Sequence, residues 1–373
     1  MREGFGFRVT ATEGSARCAT LSTPHGVVET PAFMPVATYG AVRGVSPAEL
    51  LAAGAQILLA NTYHLYERPG DEVVAGLGGL HGFTGWRGPW LTDSGGYQVM
   101  SLAGHARIDE EGVTFASPLD GHRRQLTPEL AIQIQERLGA DVAMALDECP
   151  AGDGAGADRG LRVQAAAERT LRWAERCRRA HTRLDQALFG IVQGGTSEAL
   201  RRHSAARTAS IAFDGYAHGG LGLGEESDRR IDLVRAAHAE LPVQAPRYLM
   251  GIGRPQDLVA AIHAGVDLFD CVLPTRHARH GVLYTSQGLL RLRNARFRDD
   301  PAPPDPACDC PACALHSRAY LHHLLRANEA LGARLTSLHN LRFYLGLLAA
   351  ARRAIAEGGF AGLRERVEAL APG

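Results

Sequence analysis

Val142-Ala143-Met144-Ala145-Leu146-Asp147-Glu148-Cys149 runs five apolar residues straight into two acids. The run reads as a buried strand, and a carboxylate cannot stay unpaired inside such a layer. Asp147 therefore marks the strand's end and emerges at a mouth. Outward from this stretch the same grammar repeats: a short apolar run closes on a polar or glycine-rich tip, and a helix-like stretch follows. The runs are Pro31–Thr38, Gln56–His64, Trp90–Gly96, Asp141–Glu148, Ala187–Gly195, Tyr216–Glu225, Arg247–Gly253 and Val266–Leu273. Eight runs alternating with helices predict an α/β fold, a (β/α)8 barrel of the TIM type. The competing architecture is an open doubly wound sheet, and no G-x-G-x-x-G follows the first run to support it.

Helix starts fit this alternation. Ser46-Pro47-Ala48-Glu49 reads as a capping box with proline in the first turn. Thr127-Pro128 and Arg254-Pro255 place proline where a helix can begin, and Ser227-Asp228 can cap a helix running to Glu240. Ala106–Arg124 reads as a hairpin over the barrel mouth, and Ala151–Arg159 as a mobile loop. Proline-dense Pro301–Pro306 divides a catalytic barrel, residues 1–300, from a zinc-binding subdomain, residues 301–373. The second part ends in a long closing helix packed on the barrel, predicted over Thr336–Glu357.

The 373 residues allow two or three domains, or one barrel with insertions. A composition 45% hydrophobic and 21% charged is ordinary for a globular protein with a large core. Met1–Gly14 has no apolar core of a signal peptide, and Phe343–Ala351 is far short of the roughly 20 residues a membrane span needs. The expectation is a cytoplasmic protein without a membrane partner. Net charge is zero, which argues against a protein that coats nucleic acid but not against a local patch. Such a patch exists. All basic side chains are arginine, and Cys271–Arg298 holds six of them with no acid. A solvated charged face usually mixes both signs; a one-sign stretch suits phosphate docking.

Cysteine usage points to a metal. Of seven cysteines, Cys308, Cys310 and Cys313 crowd into six positions, which fits a reduced compartment and a metal site better than disulfides. Tetrahedral zinc needs a fourth ligand, and His316, His322, His323 and His339 are the candidates downstream. Spacing alone does not choose among them, although His339, after Thr336-Ser337, can face back toward the loop. Four protein ligands close the site, so zinc there would be structural.

In a barrel, chemistry gathers at the C-terminal ends of the strands, where Asp93, Asp147, Gln193, Gly220, Gly251 and Asp270 fall. Leu91-Thr92-Asp93-Ser94-Gly95-Gly96-Tyr97-Gln98 follows an acid with glycines that let a ligand approach the backbone, although a strand-end aspartate is as often a helix cap. Asp147 could accept the N–H groups of a guanine edge. Gln193 offers donor and acceptor, and Gly219-Gly220-Leu221-Gly222 offers backbone N–H groups. Asp270 ends an apolar strand and precedes the arginine-rich stretch. Two acids at one mouth permit a retaining glycosyl transfer, one attacking the anomeric carbon and the other handling protons. A base in an RNA loop must first be extruded to reach them.

Together these stretches resemble the bacterial tRNA-guanine transglycosylases over nearly the whole chain. The resemblance implies a zinc-bearing homodimer of queuosine biosynthesis. Such an enzyme exchanges guanine-34 of GUN-anticodon tRNAs for the 7-deazaguanine preQ1 through a covalent enzyme–ribose intermediate. On this resemblance Asp270 matches the nucleophile and Asp93 the second acid, which binds the base and takes a proton from the incoming one. Ser94, Gly95 and Gly96 belong to the same base-binding motif. Asp147, Gln193, Gly220 and Leu221 match base-recognition positions, with Tyr97 stacking on one side of the base and Met250 on the other. Gly251, Ile252, Gly253, Arg254, Pro255, Gln256 and Asp257 match a segment that holds the wobble nucleotide and its neighbours, as do Thr275, Arg276, His277, Ala278 and Arg279. Cys308, Cys310, Cys313 and His339 match the zinc ligands.

Two stretches depart from the family pattern. Bacterial members commonly read Leu-Ala-Val-Gly-Glu where this chain has Leu221-Gly222-Leu223-Gly224-Glu225, and the loop after Arg276 reads His277-Ala278-Arg279-His280. Queuine-using eukaryotic members carry glycine where Leu223 stands, so the larger side chain favours preQ1 over bulkier queuine. Two rival readings are a zinc-dependent barrel hydrolase of deaminase type and a non-catalytic tRNA-binding subunit. The first needs an open metal site at strand ends; the second should lack the nucleophile.

Overall fold

The structure, a computed structural model, describes residues 4–102, 106–150 and 157–370. Each of the eight apolar runs supplies one barrel strand: Ala32–Pro35, Leu58–Ala60, Trp90–Thr92, Val142–Met144, Ala187–Val192, Gly215–His218, Arg247–Leu249 and Leu268–Cys271. The strands are parallel and neighbour one another in chain order, and the eighth returns to pair with the first, Asp270 opposite Met34. A single parallel bridge between Val36 and Leu59 joins the first strand to the second and closes the ring. Period-two alternation sorts the side chains, because successive Cβ atoms leave a strand on opposite faces. Ala32, Met34, Leu59, Leu91, Val142, Met144, Phe189, Ile191, Ala217, Tyr248 and Leu268 form an inner cluster. Their neighbours Phe33, Leu58, Trp90, Ala143, Leu188, Val192, Tyr216, Leu249 and Phe269 belong to the outer core beneath the helices. The fold is the predicted barrel.

The N-terminal stretch, to which the sequence reading assigned no structure, forms an antiparallel sheet of Gly6–Glu13, Ala16–Thr23 and Gly26–Thr30. Leu21 and Val28 join the inner cluster, Phe5 and Phe7 pack on it, and the Phe5 ring meets Phe189 edge-on at 6.3 Å. Arg17 fastens this sheet to the barrel foot. Its Nε donates to Asp267 Oδ1 at 2.9 Å, and Nη2 donates to Oδ2 at 2.5 Å and to the Ala245 carbonyl at 2.8 Å. Both partners are buried.

Helix starts follow their local chemistry. Ser46 and Glu49 form the reciprocal capping box of helix Pro47–Ala53, and Thr127 caps helix Pro128–Leu138. Pro255 opens helix Pro255–His263. Ser227 differs from expectation. It is the first residue of helix Ser227–His238, with Glu226 at the cap position, because its hydroxyl is engaged by Asp257 Oδ1 at 2.7 Å. The hairpin expected over Ala106–Arg124 is a three-stranded sheet, Arg107–Ile108, Val113–Ala116 and Arg123–Leu126. The loop expected over Ala151–Arg159 falls largely outside the described residues.

After the eighth strand come helix Leu273–Arg279, a hairpin of Val282–Thr285 and Gly288–Arg291, and helices Pro311–Leu315 and Arg318–Arg326. The closing helix spans Ala330–Glu357 and begins six residues before Thr336, since Ala330, Leu331, Ala333, Arg334 and Leu335 are strong helix formers. It packs Tyr344 against Phe33, ring centroids 5.1 Å apart, on the flank of the first strand. A further helix, Phe360–Glu368, follows. No helix among the described residues is long and apolar enough to cross a membrane.

Removing one partner of a buried ion pair strands the other charge at a cost of about 3–5 kcal/mol. Arg17→Ala should therefore lower the free energy of unfolding by an amount on that scale, read as a lower denaturant midpoint. A midpoint equal to wild type would show that the Arg17–Asp267 contact does not hold the N-terminal sheet.

Candidate active site at the C-terminal rim

Three carboxylates emerge at the C-terminal ends of barrel strands, as predicted from their positions in the apolar runs. Asp93 follows the third strand and is 7% exposed. Its Oδ1 accepts the Thr62 backbone N–H at 2.9 Å and the Gly95 N–H at 3.2 Å. Its Oδ2 accepts Nε2 of Gln98 at 2.9 Å and the Asn61 amide. Burial pushes its pKa up to about 6 against these hydrogen bonds, and the charge of nearby Asp270 adds to the rise. Asp270 directs Oδ1 to the Tyr248 hydroxyl at 2.6 Å and the Gly251 N–H at 2.8 Å, while Oδ2 accepts no hydrogen bond from the described residues. Burial raises its pKa too. Tyr248 stays a phenol, held well above its ordinary pKa by burial and by the Asp270 charge. The ion pairs of the described residues include none of the three rim acids.

Asp147 and Gln193 lie side by side, Nε2 donating to Oδ2 at 2.6 Å. Burial pushes Asp147 up to about 6, opposed by hydrogen bonds from Gln193 and Ser94. The glycines beside them are spatial necessities. A Cβ on Gly219 would lie 2.6 Å from Gln193 Nε2, and one on Gly220, at φ +65°, 2.5 Å from Gln193 Oε1. Gly96 leaves room for the Asp147 carbonyl, 3.0 Å from where a Cβ would stand. Cys149 is a buried thiol pushed up to about 12 by desolvation and the Asp147 charge, so it is no thiolate nucleophile. Tyr97 is half exposed on helix Gly96–Leu102, and Met250 packs against the inner barrel cluster.

The Leu221–Glu225 loop is pinned by its own acid. Glu225 accepts the backbone N–H groups of Gly222 and Leu223 at 2.5 and 3.1 Å and pairs with Arg230 at 2.7 Å. Arg230 in turn lies 3.2 Å from Asp257. Leu221 is buried, and a Cβ on Gly222 would stand 2.6 Å from Ile252 Cδ1. In the 251–257 segment, Gly251 and Arg254 face out, whereas Ile252, Gly253 and Pro255 are buried and Gln256 bonds the Leu370 carbonyl. In helix Leu273–Arg279, Arg276 is exposed, His277 stacks on Tyr284, and Thr275 and Ala278 face inward. Arg279 is held below its ordinary pKa by burial and then by the charges of Arg43 and Arg276. Positive charge thus collects around Arg279, on the helix that follows the strand of Asp270, with Arg43 added from the loop after the first strand.

Sequence reasoning missed Tyr248, Asn61 and Arg43. Asn61 sits at the tip of the second apolar run, where the strand-end rule could have found it. Tyr248 lies within a strand, and nothing in the sequence separates its hydroxyl from a core tyrosine.

Cys308, Cys310, Cys313 and His339 bring their ligand atoms within 4.8 Å of one another, a set that could hold a metal ion. His339 Nδ1 lies 3.5 Å from Cys310 Sγ and 3.2 Å from Cys313 Sγ, and its Nε2 contacts the Tyr284 carbonyl at 2.8 Å. Donation to that carbonyl fixes the tautomer with Nδ1 free toward the thiols. Of the other candidates, His322 contacts the Leu292 carbonyl and His316 stacks on Tyr320, and neither these nor His323 joins the cluster. This cluster lies outside the barrel strands, which disfavours the deaminase-type rival.

Residues 12–372 match a family model described as queuine tRNA-ribosyltransferase. The queuine tRNA-ribosyltransferase of Thermus thermophilus is 56% identical over 356 residues, covering 95% of this chain and 91% of that protein. Its counterpart in Solidesulfovibrio magneticus is 53% identical over 362 residues, 96% of each chain. That of Nitrosomonas europaea is 53% identical over 354 residues, 95% of this chain and 94% of the relative. With likeness of this extent over a barrel bearing three acids on one rim, the chain belongs to the queuine tRNA-ribosyltransferase family.

Proposed function

We propose that this protein is a tRNA-guanine transglycosylase that replaces guanine-34 of GUN-anticodon tRNAs with preQ1 in queuosine biosynthesis. The observation that carries the reading is Asp270, with Oδ1 held by Tyr248 and Gly251 and Oδ2 without a donor among the described residues, one turn before a helix rich in arginine. Arg43, Arg254, Arg276 and Arg279 receive the anticodon-loop phosphates, and the target nucleotide is flipped onto the rim. Tyr97 and Met250 flank the base, while Asp147, Gln193 and the Gly220–Leu221 backbone bond its edge. Asp270 Oδ2 attacks C1′ of the ribose. The C1′–N9 bond breaks, an ester forms, and the departing guanine takes a proton from Asp93. Incoming preQ1 then gives its N9 proton to the Asp93 carboxylate and attacks C1′, which releases Asp270. A carboxyl titrating near 6 can serve both proton transfers near neutral pH.

The donor set Cys308, Cys310, Cys313 and His339 suits a structural zinc, with four protein ligands and the histidine oriented through Tyr284. Zinc would hold the loop against the closing helix and take no part in base exchange. The working form is a cytoplasmic homodimer, with residues 1–300 as catalytic barrel and residues 301–373 as the zinc-binding part.

Asp270→Asn should abolish the covalent enzyme–tRNA adduct on denaturing gels and lower guanine exchange by about a thousandfold or more. An adduct that persists in this variant would refute the nucleophile. Cys310→Ala should lose metal by elemental analysis and melt at lower temperature, with activity falling as a consequence. Full metal content with an unchanged melting profile would contradict the zinc assignment. In a competition between preQ1 and queuine, preQ1 should be preferred. Leu223 fills the space that a cyclopentenediol requires, and overfilling a packed pocket costs about 1–3 kcal/mol. The Glu225 bonds and the contact of Gly222 with Ile252 keep this loop from yielding. Equal or higher kcat/KM with queuine would overturn the size argument.

A further inference from the structure

A second cluster of potential ligands lies at the opposite end of the barrel. Asp141, just before the fourth strand, is fully buried, and its Oδ2 accepts the Trp90 backbone N–H at 2.8 Å. Its Oδ1 lies 2.8 Å from His25 Nδ1, on the turn between the second and third strands of the N-terminal sheet. His81, on the short helix Gly79–Thr84, is 8% exposed and places Nε2 3.3 Å from Asp141 Oδ2. Beyond this contact with Asp141, His81 Nε2 is buried and has no hydrogen-bond partner among the described residues. Ligand atoms of the three residues lie within 4.8 Å of one another. Base exchange at the far rim uses none of them.

We propose that His25, His81 and Asp141 form a second metal site, for a first-row divalent cation of the zinc, cobalt or nickel class. Two imidazole nitrogens and one carboxylate oxygen suit these ions, whereas magnesium and calcium prefer oxygen ligands. The buried nitrogen of His81 supplies the independent reason, since a cation between it and Asp141 Oδ2 gives its lone pair a partner. The two rings stack face to face, centroids 3.5 Å apart and planes 16° from parallel, so their lone pairs run side by side. Chelation requires one ring to turn, and His25 is the ring with freedom to do so. Its side chain is 42% exposed and sits on a tight turn. Turning it gives up one hydrogen bond to Oδ1, which the cation replaces. A cation there ties the N-terminal sheet and helix Gly79–Thr84 to the foot of the fourth strand, away from the chemistry.

Full-length protein, with its cysteine site loaded, is dialysed against micromolar zinc, and bound metal is counted by mass spectrometry. Wild type should hold a second equivalent, and zinc should raise its melting temperature. His25→Ala and His81→Gln should each keep only the first equivalent and show no added zinc stabilisation, and His25→Ala should retain base exchange. Cobalt in the second site should absorb weakly, without the thiolate charge-transfer bands of the cysteine site. A single equivalent in wild type, which would leave the histidines as a hydrogen-bonded clamp, overturns the proposal. So does a second equivalent that survives in both variants.

Discussion

A carboxylate taken out of water must be compensated, and the closed barrel leaves only its two ends for that purpose. Apolar side chains fill both faces of the strands. Acids therefore sit at strand ends, and the two ends compensate them differently. At the foot, Asp267 pairs with the Arg17 guanidinium, and Asp141 takes the His25 imidazole and the backbone N–H groups of Trp90 and His25. At the rim, Asp93, Asp147 and Asp270 receive amides, hydroxyls and backbone N–H groups. Neutral donors orient a carboxylate without cancelling its charge. The foot acids are spent on stability; the rim acids are oriented without a cation to neutralise them.

Orientation and shape at the rim come from a small number of backbone choices. Gly219 and Gly220 allow Gln193 to lie against the chain, and Asp147 follows from Gln193. Glu225 plays the same part for the next loop by binding two successive N–H groups and then Arg230. Through Asp257 and Ser227 this network reaches the segment that begins at Gly251, whose own N–H holds Asp270. Hydrogen bonds and an ion pair thus tie the loops after the sixth and seventh strands to each other, and the Gly251 N–H carries the link on to Asp270 of the eighth.

Much of this was legible from residue order. An acid directly after an apolar run, as at Asp147 and Asp270, is a strong positional signal, because burial forbids any other place for it. The eight runs carried the barrel for the same reason. The N-terminal sheet was harder. Its first strand alternates half-buried and exposed residues, without the continuous apolar run that marked the barrel strands. Its inward residues become meaningful only against an inner cluster formed by distant strands. The fourth thiol-site ligand was likewise undetermined by spacing, since His339 reaches the loop through a helix packing arrangement. Tyr248 differs from any core tyrosine only by what lies opposite its hydroxyl.

The closing helix joins parts of the molecule that are otherwise separate. Within a turn and a half, His339 meets the cysteine loop, Asn340 bonds the Pro274 carbonyl just past the eighth strand, and the Tyr344 hydroxyl bonds the Gly253 carbonyl. The flanks of Asp270 are therefore fastened by residues made some seventy positions later. During translation the strands and the acid emerge first, but the groups that hold them in place are still inside the ribosome. The flanks of the rim can be fastened only after the chain through Tyr344 has left the exit tunnel.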